Sequence, residues 1–306
     1  GTCVRMSSPG RTLMAVAEPY VATIPSRWGR VRSGRRFTAI ASLGLFDKIA
    51  LGLLVFVALL AIFGPMFAPH PIDAVSGTPF QHPLSPSHLM GTDDVGRDIF
   101  SRVLYGIQSS WFSAFVVIAS GVIIGGLIGL VAGATGGILD SILMRITDTF
   151  LALPGPVLAI AVVAALGPSL AHTLVAVAIV WWPYYARIVR GEIRALAARP
   201  HIEAAKLAGA GRLRIMWRHL MPGAIPVTVV AASLDVSALV LTLAILSFLG
   251  LGAPAPAPEL GAMSARGLTY LLEYWWVPMM PAFSVFFLAI VANLAGDGIR
   301  DLIGRR

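Results

Sequence analysis

Six stretches of this chain are apolar over nearly the length of a bilayer crossing: residues 49–67, 111–135, 144–166, 170–186, 224–251 and 279–294. A helix needs about 20 mostly apolar residues to cross the hydrocarbon layer. The runs are continuous and do not alternate polar with apolar, which excludes a closed β-barrel. Charged residues make up 12% of the 306 and the mean hydropathy is +0.81. Soluble domains carry about 25% charged residues. The pattern predicts an all-α membrane protein with about six transmembrane helices. The 170–186 run is the shortest, and Pro183 is expected to end or bend it.

Charge sets the orientation, because Lys and Arg gather in the loops that stay inside the cell. With the N-terminus inside, all of the 23 Lys and Arg except Arg97, Arg102 and Arg266 fall on the cytoplasmic side. Both termini are therefore expected in the cytoplasm. The net charge of +8 follows from this asymmetry, and no aromatic-interleaved basic patch suggests nucleic acid. Residues 1–45, with Arg27, Arg30, Arg32, Arg35 and Arg36, are expected to form a partly disordered cytoplasmic tail. The apolar body then spans residues 46–306. It includes an extracellular loop at 68–110 and a cytoplasmic loop at 187–222.

Two features inside the apolar runs call for an explanation. Gly121, Gly125, Gly129 and Gly133 recur every four residues and so share one helix face. A face without side chains lets another helix backbone approach closely, either within the bundle or between subunits. Asp235 sits near the middle of the fifth run. A carboxylate there costs about 2.5–3.5 kcal/mol on insertion scales and should meet a cavity, a partner or the bundle interior. Asp235, Ser237 and Thr242 are the candidates for lining a translocation path; the alternative is that Asp235 bonds a neighbouring helix.

Several chemistries are excluded or disfavoured. The single cysteine, Cys3, permits no internal disulfide and no cysteine metal cluster. The six histidines show no metal-ligand spacing, and Asp93-Asp94 lacks the alternating ligands of an EF-hand. No metal or cofactor is expected on this chain. Its two lysines, Lys48 and Lys206, do not follow glycine, so no P-loop exists and the chain cannot bind ATP in that way. No Gly-x-Ser-x-Gly elbow is present either, and the chain is not expected to be an enzyme by itself.

The 187–222 loop is basic and mostly helix-forming. Pro200 suits a helix start, Gly209 and Gly211 a break, and residues 212–221 a second helix that Pro222 ends. Within it, Glu203-Ala204-Ala205, then Gly209, then His219-Leu220-Met221-Pro222 resemble the EAA loop of ABC importer permeases. Met221 is a mild departure from that pattern. Gly91-Thr92-Asp93-Asp94-x-Gly96-Arg97-Asp98 also resembles the C-type permease subunits of dipeptide, oligopeptide and nickel importers. So do Ser247-Phe248-Leu249-Gly250-Leu251-Gly252, Pro258-Glu259-x-Gly261 and Asn293-Leu294-x-Gly296-Asp297-Gly298. The likeness covers about residues 46–304, in order. That family often has an acid four or five residues before the serine of Ser-Phe-Leu-Gly; here those positions hold Leu243 and Thr242.

The resemblance implies a type I ABC importer permease fold in a prokaryotic inner membrane. It implies four kinds of neighbour: a second permease, two cytoplasmic ATPase domains holding ATP and Mg, an external binding protein, and the lipid bilayer. Glu203, Ala204, Ala205, Gly209 and Pro222 would couple ATPase closure to alternating access. Peptides are the expected substrates, with nickel chelates as the alternative inside the family. A secondary transporter without an ATPase is the alternative from another class.

Overall fold

The computed structural model describes residues 44–304, so the expected tail lies outside the described residues apart from its last two. The chain is helical, in the order α1 (Leu45–Phe63), α2 (Ile99–Thr135), α3 (Gly137–Leu151), α4 (Gly155–Leu166) and α5 (Leu170–Ala197). It continues with α6 (Pro200–Leu207), α7 (Arg212–Ile215), α8 (Met221–Phe248), α9 (Leu260–Gly267) and α10 (Trp276–Gly304).

Among the described residues, four helical stretches are long and apolar enough to cross a membrane: Leu45–Phe67, Ile99–Thr135, Arg212–Phe248 and Trp276–Ile303. The third expected span, 144–166, is not one straight helix. It divides into α3 and α4, bent by 85° at Ala152-Leu153-Pro154, and counts as a fifth crossing if the bent pair is one span. Proline disfavours helical backbone in the residue before it, so the break falls where Leu153 precedes Pro154. The fourth expected span is α5. It is 28 residues long, enough for about 42 Å of helix. His172 and the Trp181-Trp182-Pro183-Tyr184-Tyr185 run dilute its apolar character, so composition alone does not mark it as a crossing.

Three boundaries differ from expectation. Helix α2 begins at Ile99, ahead of the apolar run, because the Asp98 side chain caps it by accepting from the Ser101 N–H at 2.8 Å. The polar residues of its first turns hide this start from hydropathy. Helix α5 does not stop at Pro183 or Ala186 but continues to Ala197, with Pro183 buried inside it. An internal proline removes one helix bond; here the flanking residues are held by packing against α2. Pro222 does not end a helix. A π-helical turn at Met216–Leu220 joins α7 to α8, and Pro222 lies in the first turn of α8. A wide turn shifts the carbonyls that a proline cannot use, so the helix passes through.

The core has two parts. The larger gathers Val57, Val103, Val117, Leu239, Leu246 and Leu288 from α1, α2, α8 and α10. The smaller lies at the end of the bundle where α5 leaves it. It gathers Leu130, Val189, Ile193, Ile202, Ile215 and Leu220. Two arginines of α5 fasten α3 to this end: Arg190 donates to Asp140 Oδ2 at 2.8 Å, and Arg194 reaches the same oxygen. Asp140, itself 3% exposed, also sits in the first turn of α3, where a carboxylate is favoured.

Candidate functional site

The 200–215 hairpin is anchored at one point and open elsewhere. Ile202 is fully buried in the smaller core, a burial that stabilises by about 1.5–3 kcal/mol. Glu203 and Ala204 on the same helix are exposed, and Ala205 is partly so. Leu207 is 90% exposed and Leu213 71% exposed. Two large apolar side chains held out at the tip of a charged hairpin form the kind of surface that another protein covers.

The turn between α6 and α7 depends on Gly209, whose φ is +81°. The N–H of Ala210 donates to Ala205 O at 3.0 Å, and that of Gly209 to Lys206 O at 3.0 Å. These are the bonds of a helix C-terminus closed by a left-handed residue, a role that glycine fills without steric cost.

The four glycines of α2 lie against α5. A Cβ on Gly125 would stand 2.9 Å from Ala186 N, and one on Gly129 would stand 2.9 Å from Arg190 N. On Gly133 it would meet Ile193 Cβ at 2.8 Å, and on Gly121 the Tyr185 ring at 3.1 Å. The α2 seam therefore faces the helix that leads into the hairpin.

Asp235 and Thr242 line one cleft of about 250 Å³ with Gly155, Pro156, Val180, Trp181 and Tyr184. Ser237 does not join them. Two residues along a helix is about 200° of rotation, and Ser237 turns inward, donating to Leu234 O at 3.3 Å. The aromatic wall from α5 was missed by reasoning on α8 alone. Its signal was present in the aromatic run at 181–185.

The end of the bundle away from the hairpin is tied by buried polar groups. Arg102, 1% exposed, donates to Ile72 O and Pro256 O, both at 2.6 Å. Glu259, 8% exposed, accepts from Ser247 Oγ and, at 2.7 Å, from Ala253 N. It pins the loop after α8 to the start of α9. Glu259→Ala strands a backbone N–H and a hydroxyl. Losing such partners costs about 1–3 kcal/mol, so the thermal midpoint of the purified protein is expected to fall. An unchanged midpoint would mean that this carboxylate does not hold the loop.

Asp93 accepts from Val95 N, Arg97 N and Arg97 Nε at 2.8–3.0 Å, the pattern of a structural turn. His70, His88 and Asp98 approach one another closely enough to hold a metal. Asp98 is already engaged as the α2 cap and with His88 Nδ1 at 2.9 Å.

The family model described as "Binding-protein-dependent transport system inner membrane component" matches residues 125–306. The probable D,D-dipeptide transport system permease protein DdpC of Escherichia coli K12 is 43% identical over 251 residues, covering 82% of this chain and 84% of that protein. The dipeptide transport system permease protein DppC of Haemophilus influenzae is 36% identical, covering 83% and 88%. Among solved structures, the inward-facing MetNI methionine ABC transporter matches with a TM-score of 0.54. It is 24% identical and covers 66% of this chain and 95% of that one. That likeness concerns the fold, which is the type I ABC importer permease fold. The family model and the two relatives agree over most of the chain: it belongs to the inner membrane components of binding-protein-dependent transport systems.

Proposed function

We propose that this chain is the membrane-spanning permease subunit of an ATP-driven importer of di- and oligopeptides. The observation that carries the reading is the 43% identity to a D,D-dipeptide permease over 82% of the chain. Peptide is delivered by an external binding protein and crosses by alternating access between this subunit and a second, related permease. Two cytoplasmic ATPase domains supply the energy and hold the ATP and Mg. The exposed face of the 200–215 hairpin, with Glu203, Leu207 and Leu213, suits it to dock on such a domain. Both termini and the hairpin then lie in the cytoplasm, in keeping with the distribution of Lys and Arg.

The test is uptake of a labelled dipeptide by proteoliposomes holding the complete complex with its binding protein. Uptake is expected to require ATP on the hairpin side, and deletion of residues 203–211 is expected to release the ATPase during purification. Uptake driven by a proton gradient without ATP would replace this reading with a secondary transporter.

A further inference from the structure

Asp235 lies in an unusual setting for a carboxylate in a membrane-spanning helix. Its Oδ2 is buried and has no hydrogen-bond partner, and the buried hydroxyl of Tyr185 has none either. The Tyr185 and Trp181 side chains lie beside the carboxylate and are its nearest polar neighbours. Among the described residues no Lys, Arg or His forms an ion pair with it. A carboxylate oxygen offers about two acceptor sites, and leaving those of a buried oxygen empty at membrane depth is costly. The residue nevertheless lines a cleft with room for a small group, walled by Trp181 and Tyr184. Aromatic faces attract cations, by about 0.5–2 kcal/mol each. A carboxylate beside two aromatic side chains, with no ion-pair partner of its own, has the chemistry to receive an alkylammonium.

We propose that Asp235, Trp181 and Tyr184 form an ammonium subsite that receives the free α-amino group of a peptide during its passage. This rests on the peptide-importer reading above. Thr242, two helical turns further on and about 10 Å away by helical rise, borders the same cleft and is partly exposed. Its hydroxyl bonds only within its own helix, to Ala238 O at 2.8 Å, so a cysteine there is a mild change and a reporter for the cleft.

The experiment uses the assembled importer in proteoliposomes, with Cys3→Ser and Thr242→Cys in this chain so that it keeps one thiol, and labelling is read on this subunit after separation of the chains. Its modification rate is measured with cationic ethylammonium methanethiosulfonate and anionic ethylsulfonate methanethiosulfonate. Asp235→Asn is expected to lower the cation-to-anion rate ratio at least threefold. Asp235→Glu, which keeps the charge, should leave it within twofold. L-alanyl-L-alanine is expected to slow the cationic reagent, and N-acetyl-L-alanyl-L-alanine is not; in Asp235→Asn neither should. Rates are read only from complex that elutes intact, so a folding defect is not counted. An unchanged ratio in Asp235→Asn overturns the proposal. So does equal protection by the acetylated peptide, or protection by neither. Failure of the peptide reading itself would show separately, as absence of dipeptide uptake by the unaltered complex while the charge ratio still responds to Asp235.

Discussion

Gly129→Leu is expected to leave almost no folded protein in the membrane, while Gly126→Leu accumulates normally. The two residues are three apart on α2 and differ in what lies above them. A Cβ on Gly129 would press on the α5 backbone, at 2.9 Å from Arg190 N and 3.0 Å from Val189 Cβ, and closer still to Ala186 O. A Cβ on Gly126 meets nothing within 4 Å. Backbone cannot rotate away as a side chain can, so α2 and α5 would have to separate along their most extensive contact. Overpacking by even one or two methylenes costs about 1–3 kcal/mol, and a leucine adds more. Domains are marginally stable to begin with. Gly126→Ala should even gain, since alanine is favoured over glycine in a helix by up to about 1 kcal/mol. The measurement is the yield of monodisperse protein after detergent extraction. Equal yields for the two leucine variants would mean that the seam is not set by backbone contact.

That contrast also marks where the amino-acid pattern was informative. The four-residue glycine period identifies a close-packing face on α2 without identifying its partner. The partner is α5, whose own sequence announces nothing at Ala186 or Arg190. Hydropathy located α1, α2, α8 and α10 because their apolar character is local and unbroken. It did not register the 85° bend at Leu153-Pro154, since both arms are apolar and a sliding average cannot see direction. It stopped α2 short of Ile99 and α5 short of Ala197 because helix ends there carry charge and hydroxyls. The same holds at the sites. The pattern Glu203-Ala204-Ala205 with Gly209 marked the hairpin, whereas Ile202, its buried anchor, belongs to no motif. Asp235 was conspicuous by its charge. Ser237 shared its helix but not its face, and Trp181 and Tyr184 came to it only through the fold.

Glu203→Lys together with Gly209→Asp is expected to abolish peptide uptake while leaving the protein inserted and folded. The two changes act on different parts of the hairpin. Glu203 is exposed in the first turn of α6, where an acid also suits the positive end of the helix. Reversing its charge leaves Ile202 and the smaller core untouched but sets a cation where the proposed ATPase contact has an anion. A like-charge or unmatched contact at an interface costs several kcal/mol, enough to lower the rate a hundredfold or more. Gly209 has open space around it, so aspartate fits sterically. Its φ of +81° is the obstacle. An L-residue in left-handed backbone costs about 1–2 kcal/mol, which loosens the turn that sets α7 against α6. Neither change reaches the α2–α5 seam or the larger core, so insertion and thermal stability should stay close to those of the unaltered chain. Transport is read as ATP-dependent dipeptide uptake, and coupling as ATPase activity retained by the complex. Uptake lost with ATPase activity still stimulated by the binding protein would place the defect at the hairpin. Normal uptake by the double variant would remove the hairpin from the transmission of motion.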